Sequence, residues 1–222
     1  MPVFIYLHGF ASSPNSSKAK VFKSKFDSLN TPIEIPALDG GNFQNLTITR
    51  QLDIIFEVMG KYPGEQFAVI GSSMGGYLAA LTANLRPQVK AIYLMAPGFN
   101  FLKRWKKKWE TGDEMNSPSA KSLKVFHYGM NKYTDLDSLL FEDAEKWEKI
   151  HLDREIPTRL VHGIHDDTVP ISESRTHADK IKSASLMELD SDHGLLSHIH
   201  WIVDDCIDFL SSNGFGKQLN TS

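Results

Sequence analysis

One turn constrains this chain more than anything else in it. Val69–Ile70–Gly71–Ser72–Ser73–Met74–Gly75–Gly76 spells G-x-S-x-G with Ser73 at the centre. The apolar run Phe67–Ile70 precedes it and the helix-forming run Tyr77–Ala83 follows. A strand that passes into a helix within so few residues forces the central serine into a strained backbone conformation. Side chains two residues to either side would collide, so Gly71 and Gly75 leave the room. Such an elbow lifts the Ser73 hydroxyl to the edge of a sheet and aims a helix N-terminus at whatever it meets. The plainer alternative is a glycine-rich turn in any α/β protein. The residues that follow along the chain weigh against it.

An elbow of this kind needs a parallel sheet behind it, and the apolar pattern supplies one. Short runs, mostly apolar on both faces as buried parallel strands are, occur at Val3–Leu7, Ile33–Ile35, Phe67–Ile70, Ala91–Met95, Thr158–Val161 and Leu186–Leu189. Amphipathic stretches between them predict helices over Ser16–Leu29, Leu46–Met59, Met74–Leu85, Ser172–Ile181 and Leu195–Leu210, with Asn45 as the N-cap of the second. This β–α alternation implies an α/β fold, a parallel sheet with helices on both faces and right-handed crossovers. With 222 residues, 41% of them hydrophobic, the chain suits one domain of about 200 residues with a sizeable core. The last residues, Asn213–Ser222, read as a frayed tail.

One segment breaks the rhythm. Residues 1–97 and 157–222 read as the core, and 98–156 as an insertion that serves as a cap. The insertion opens with the basic, aromatic run Phe99–Trp109 and continues through a polar stretch, Thr111–Ser119. A hairpin follows, Leu123–Tyr128 and Lys132–Thr134 around Gly129–Met130–Asn131, then a helix over Leu136–Ile150. The basic run could bind nucleic acid or a membrane surface, but the favoured reading is a solvated amphipathic face with Trp105 and Trp109 packed inward. Phe99 and Phe101, nearest the end of the strand Ala91–Met95, are expected to line a substrate pocket over Ser73.

Charge and cysteine content bound the partners. A formal net charge of −3 gives no electrostatic case for nucleic acid or an anionic membrane. The single cysteine, Cys206, lies in an apolar run and reads as a core residue; no internal disulfide is available. No apolar stretch approaches the ~20 residues that span a bilayer, so no stable membrane anchoring is expected. The opening Met1–Leu7 reads as a strand without a basic leader, and a cytoplasmic protein is the expectation. Oligomeric state leaves no mark on the sequence.

A serine hydroxyl is a weak nucleophile until a base takes its proton, and that base needs an orienting carboxylate. Both follow Ser73 in the order Ser…Asp…His. After Thr158–Val161 comes His162–Gly163–Ile164–His165–Asp166–Asp167–Thr168–Val169–Pro170. Its offset from Val169–Pro170 favours Asp166 over Asp167 as the acid. After Leu186–Leu189 comes Ser191–Asp192–His193–Gly194, which puts His193 in the base position. Residues that follow successive parallel strands meet on one sheet edge. An oxyanion hole needs two backbone N–H donors. Met74, directly after Ser73, offers one. Phe10, behind His8–Gly9 at the end of the first strand, offers the other. His162 and His165 read as hydrogen-bonded turn residues. Their spacing fits neither H-x-H-x-D-H nor H-E-x-x-H, so a metallohydrolase is disfavoured. A non-catalytic binding module on the same fold is the other competing reading, but the three positions of the triad are all filled.

With these motifs in place, the chain resembles an α/β-hydrolase from Val3 to about Leu210. Tyr6–Leu7–His8–Gly9–Phe10–Ala11–Ser12–Ser13–Pro14, with Ser17–Lys18–Ala19 and Gly71–Gly76, resembles the small YqiA-type esterases, the UPF0227-like group. The resemblance implies a sheet of about six parallel strands and a serine esterase that acts without metal or organic cofactor; a small-molecule ester is the expected substrate, and a thioester fits the same Ser–His–Asp machinery.

Overall fold

The structure is a computed structural model that describes residues 2–110 and 122–219, the side chains of 106–110 excepted. Six strands form one parallel sheet: β1 (Val3–Leu7), β2 (Ile33–Glu34), β3 (Phe67–Ser72), β4 (Val89–Met95), β7 (Thr158–Gly163) and β8 (Ala184–Leu189). They lie in the order β2-β1-β3-β4-β7-β8. β5 (Ser122–His127) and β6 (Lys132–Asp137) pair with each other in a separate antiparallel hairpin. The helices are α1 (Ser17–Ser28), α2 (Ile48–Gly60), α3 (Met74–Leu85), α4 (Phe101–Glu110), α5 (Leu139–Trp147), α6 (Ile171–Lys180) and α7 (Ile199–Leu210).

The central strands β1, β3 and β4 are mostly apolar because both faces of the sheet are covered there. Successive residues of a strand point to opposite faces. Ile5 and Leu7 of β1 therefore join Val69 of β3, α2, α3 and the inserted segment in one core. Phe4 and Tyr6 join Ile70, α1 and α7 in the other. Arg154 fastens the segment before β7 to the end of α3, where its guanidinium donates to the carbonyls of Ala83, Arg86, Pro87 and Val89.

Three local expectations are corrected. The N-cap of α2 is Thr47, whose hydroxyl accepts from Arg50 N–H at 3.0 Å. Asn45 instead closes a short 3₁₀ turn, Phe43–Asn45, because the chain bends there to bury Phe43 and Leu46. The last helix begins at Ile199, after Leu195 in a left-handed conformation and a 3₁₀ turn at Leu196–His198. Of the tail expected to fray, Asn213–Ser222, residues 213–219 are instead packed, while 220–222 lie outside the described residues. Gly214, at φ +96°, turns the backbone so that Phe215 and Leu219 are buried in the second core. The Phe215 ring lies 5.6 Å from that of Phe4.

The insertion contains the hairpin anticipated from its sequence, and its last helix is shorter, Leu139–Trp147. Asp143 of α5 ties it to the core by accepting from the N–H and hydroxyl of Thr49 at 2.7 and 2.6 Å. Trp105 packs inward, against Phe10, Phe101 and Phe141. The polar stretch Thr111–Ser119 and the side chain of Trp109 lie outside the described residues.

Candidate active site

The β3–α3 turn is as tight as its glycines require. Ser73 sits at φ 54°, ψ −118°, a region an L-residue enters only under constraint. A Cβ on Gly71 would stand 2.2 Å from the Gly75 carbonyl oxygen, and one on Gly75 would stand 2.1 Å from that of Leu7. Neither glycine tolerates a side chain without movement of backbone.

Three loops at the carboxyl ends of β3, β7 and β8 bring Ser73, Asp166 and His193 together. Ser73 Oγ lies 3.0 Å from His193 Nε2, and His193 Nδ1 lies 2.7 Å from Asp166 Oδ2. Asp166 Oδ1 accepts from the N–H groups of Thr168 and Val169 at 2.9 and 2.8 Å. His162 donates Nε2–H to Asp166 Oδ2 at 3.0 Å and to Val169 O at 2.9 Å, while its Nδ1 stands 2.7 Å from Ser174 Oγ. Burial by itself would raise the Asp166 carboxyl. The donors from His162, His193 and Val169 override it and hold Asp166 well below the usual carboxylate range. An ionised Asp166 orients the His193 imidazole with Nδ1 protonated and Nε2 free to take a proton from Ser73. Asp167 is exposed, and among the described residues its side chain accepts from the Thr168 hydroxyl alone, at 3.2 Å. His165 points away to Asp190 at 2.7 Å.

The loop after β1 passes against the nucleophile. A Cβ on Gly9 would touch Ser73 Cβ at 3.4 Å. Buried His8 holds this loop: its Nε2 accepts from Leu38 N–H at 3.3 Å, which leaves Nδ1–H to donate to Gly9 O at 3.0 Å. Burial lowers the His8 pKa and keeps the ring neutral in that role. Phe10, Ser73 and Met74 share a small cavity of about 120 Å³. Among the described residues the N–H groups of Phe10 and Met74 donate to no protein acceptor, so both are available to an oxygen in that cavity.

A larger cavity, about 780 Å³, opens over Ser73 and His193, a size suited to a small organic ligand. Its apolar wall comes from the hairpin, through Leu123, Val125, Phe126, Tyr128 and Tyr133, with Trp105 of α4. Neither Phe99 nor Phe101 lines it, and for Phe99, which reaches no cavity that Ser73 lines, the expectation is corrected. Phe101 lines the small cavity beside Ser73 instead. Phe99 lines a separate space of about 310 Å³ with His177 and Tyr77 and stacks on the His177 ring at 4.5 Å. The chain turns at Asn100, φ 51°, so that α4 carries Phe101 toward the site and leaves Phe99 behind it. The hairpin wall and Lys18, which also lines the large cavity, were not anticipated as site residues. Aromatic alternation in Phe126–Tyr128 was the available signal for the hairpin. Nothing local singles out Lys18.

His177 gives a prediction about stability. Burial, reinforced by Lys180, pushes its imidazole down to about 4, against ~6.5 in an unfolded chain. Between those values the unfolded state binds the extra proton, so stability falls as pH drops from about 6.5 toward 4. The loss amounts to up to about 3 kcal/mol. His177→Phe should flatten this part of the Tm–pH profile. Parallel profiles for the two proteins would refute the assignment.

Strand order, elbow and the placement of the three loops define the class: this is an α/β-hydrolase fold. Est1E from Butyrivibrio proteoclasticus superimposes with TM-score 0.77 at 17% identity, over 96% of this chain and 88% of that one. Mouse alpha/beta hydrolase domain-containing protein 10 does so with TM-score 0.74 at 23% identity, over 93% and 90%. The chain belongs to the Uncharacterised protein family UPF0227, whose family model matches residues 3–211. In sequence it is also similar to the bovine "Palmitoyl-protein thioesterase ABHD10, mitochondrial", 25% identical over 235 residues, which span 95% of this chain and 74% of that protein. The human counterpart is 25% identical over 236 residues.

Among the described residues no helix is long and apolar enough to cross a membrane.

Proposed function

We propose that this protein is a serine hydrolase that cleaves carboxylic esters through an acyl-enzyme. The observation that carries the reading is the chain of hydrogen bonds from Ser73 through His193 to Asp166, 3.0 and 2.7 Å long. Ser73 Oγ attacks the acyl carbon as His193 Nε2 takes its proton. The N–H groups of Phe10 and Met74 receive the oxyanion. The C–O bond to the alcohol then breaks, and His193 returns the proton to the leaving oxygen. Water repeats the sequence on the acyl-enzyme and releases the acid and free Ser73. His8 and His162 act as positioning residues, the first on the Phe10 loop and the second on Asp166.

Thioesters suit the same machinery, and the name of the ABHD10 relatives makes them the second substrate to test. In this reading residues 98–156 form a cap, and its hairpin wall receives the acyl chain. The compartment we favour is the cytoplasm, supported by a lone, buried, unpaired Cys206.

A fluorophosphonate should label Ser73, and p-nitrophenyl esters of increasing chain length should be hydrolysed. Absence of both from folded protein would overturn the reading. Phe126→Ala should change the ratio of octanoyl to butyryl kcat/KM by about 3–10-fold, the scale of one or two methylene groups losing their apolar contact. Phe99→Ala should leave that ratio as it is. The opposite ranking would move the acyl site away from the hairpin.

A further inference from the structure

The large cavity has two unlike ends. The hairpin makes one apolar. The other is built from the loop after β1 and the first turn of α1, where Ser12, Ser16, Ser17 and Lys18 line it. The charged residues among its described lining are both lysines, Lys18 and Lys124, with no aspartate or glutamate. Lys124 pairs with Asp135 at 2.8 Å across the hairpin. Lys18 Nζ donates one of its three N–H bonds to Gly194 O at 3.0 Å. The first turn of α1 carries no acidic side chain, so the field of the helix end adds to that of the ammonium.

The place of Lys18 relative to the chemistry says which half of a substrate it meets. Gly194 directly follows His193, and His193 must stand beside the leaving oxygen to protonate it. The cation therefore lies on the leaving-group side, and the apolar hairpin remains for the acyl chain.

Resting on the ester-hydrolase reading above, we propose that the substrates are esters of alcohols that carry an anionic group, and that Lys18 is the residue that selects them. A half-buried ammonium beside apolar walls is poorly solvated; burial lowers its pKa to about 8, and Asp166 and Asp192 draw it back up. An incoming carboxylate or phosphate restores the solvation that the cavity removes, by a charge-assisted hydrogen bond. A neutral leaving group leaves the ammonium without that partner.

The test compares 4-octanoyloxybenzoate with its neutral methyl ester. The double ratio of kcat/KM, charged over neutral and wild type over variant, cancels both the intrinsic reactivity of the two phenols and any general loss of activity. Lys18→Met should lower the charged-to-neutral ratio by about 10–100-fold, the range of one charge-assisted hydrogen bond. Lys18→Arg should restore most of it. In wild-type protein the same ratio should fall as salt is raised, because screening weakens the attraction; this arm needs no variant to fold. An unchanged ratio in folded Lys18→Met, or a wild-type ratio insensitive to salt, would reduce Lys18 to a fastener of the His193 loop. Replacing the carboxylate by a phosphate on the same phenol shows which anion fits better, and wild-type protein that favours neither anion over the neutral ester would overturn the proposal. Fluorophosphonate labelling of Ser73 reports the hydrolase reading separately. Labelling without discrimination overturns the anion site alone, and neither labelling nor turnover overturns both.

Discussion

Ser73→Ala should lower kcat toward p-nitrophenyl esters by about 10⁴–10⁶-fold, the scale of losing a triad nucleophile. The alanine keeps the Cβ that already tolerates φ 54° in the turn, so the backbone meets no new obstacle. What disappears is one oxygen and its 3.0 Å contact with His193 Nε2. Circular dichroism and melting temperature should stay close to wild type, and fluorophosphonate labelling should vanish. Hydrolysis at the wild-type rate by purified Ser73→Ala would end the acyl-enzyme mechanism.

Asp166→Asn is expected to cost about 10⁴-fold in kcat, because the amide no longer favours the His193 tautomer with a free Nε2. It should also destabilise the fold, unlike Ser73→Ala. Asp166 accepts from His162, His193, Thr168 and Val169, and an amide offers one acceptor oxygen in place of two. Each buried donor left without a partner costs about 1–3 kcal/mol. The sign of the pH effect follows from the depressed carboxyl. Its contribution is fully present above the unfolded value of ~3.9 and is lost as pH falls below it. Wild type should therefore lose melting temperature on acidification through that range, and Asp166→Asn should lose less. Asp167→Asn, on an exposed turn, should differ little from wild type in kcat/KM and Tm. If Asp167→Asn were the inactive one, the acid would have been assigned to the wrong neighbour.

Several features were legible before any coordinate. The elbow is a matter of local sterics. Gly71 and Gly75 are required by backbone atoms within a few residues of them or in the adjoining strand, so the pattern itself carries the geometry. The strands were legible because a sheet covered on both faces leaves runs such as Phe67–Ile70 and Ala91–Met95 apolar at every position. The order Ser73, Asp166, His193 could be read because parallel strands deliver their carboxyl ends to one edge. Asp166 stood out from Asp167 by its offset from Val169, and the loop that offset describes is the one whose N–H groups the carboxylate accepts.

What the sequence alone determined was this scaffold, with its turn and the three residues that meet there, because each depends on short-range sterics or on a continuous apolar run along a strand. Only the tertiary structure decided what surrounds them. Phe99 and Phe101 are two residues apart and equally aromatic, yet Asn100 at φ 51° sends them to different cavities. Phe215 and Leu219 read as the apolar specks of a tail until α1, α7 and Phe4 left a place for them. Lys18 became part of the site because α1 begins beside Gly194, 176 residues away in the chain. A cavity wall is made by segments that approach from distant parts of the chain, and no periodicity within one segment records which of its faces another will meet.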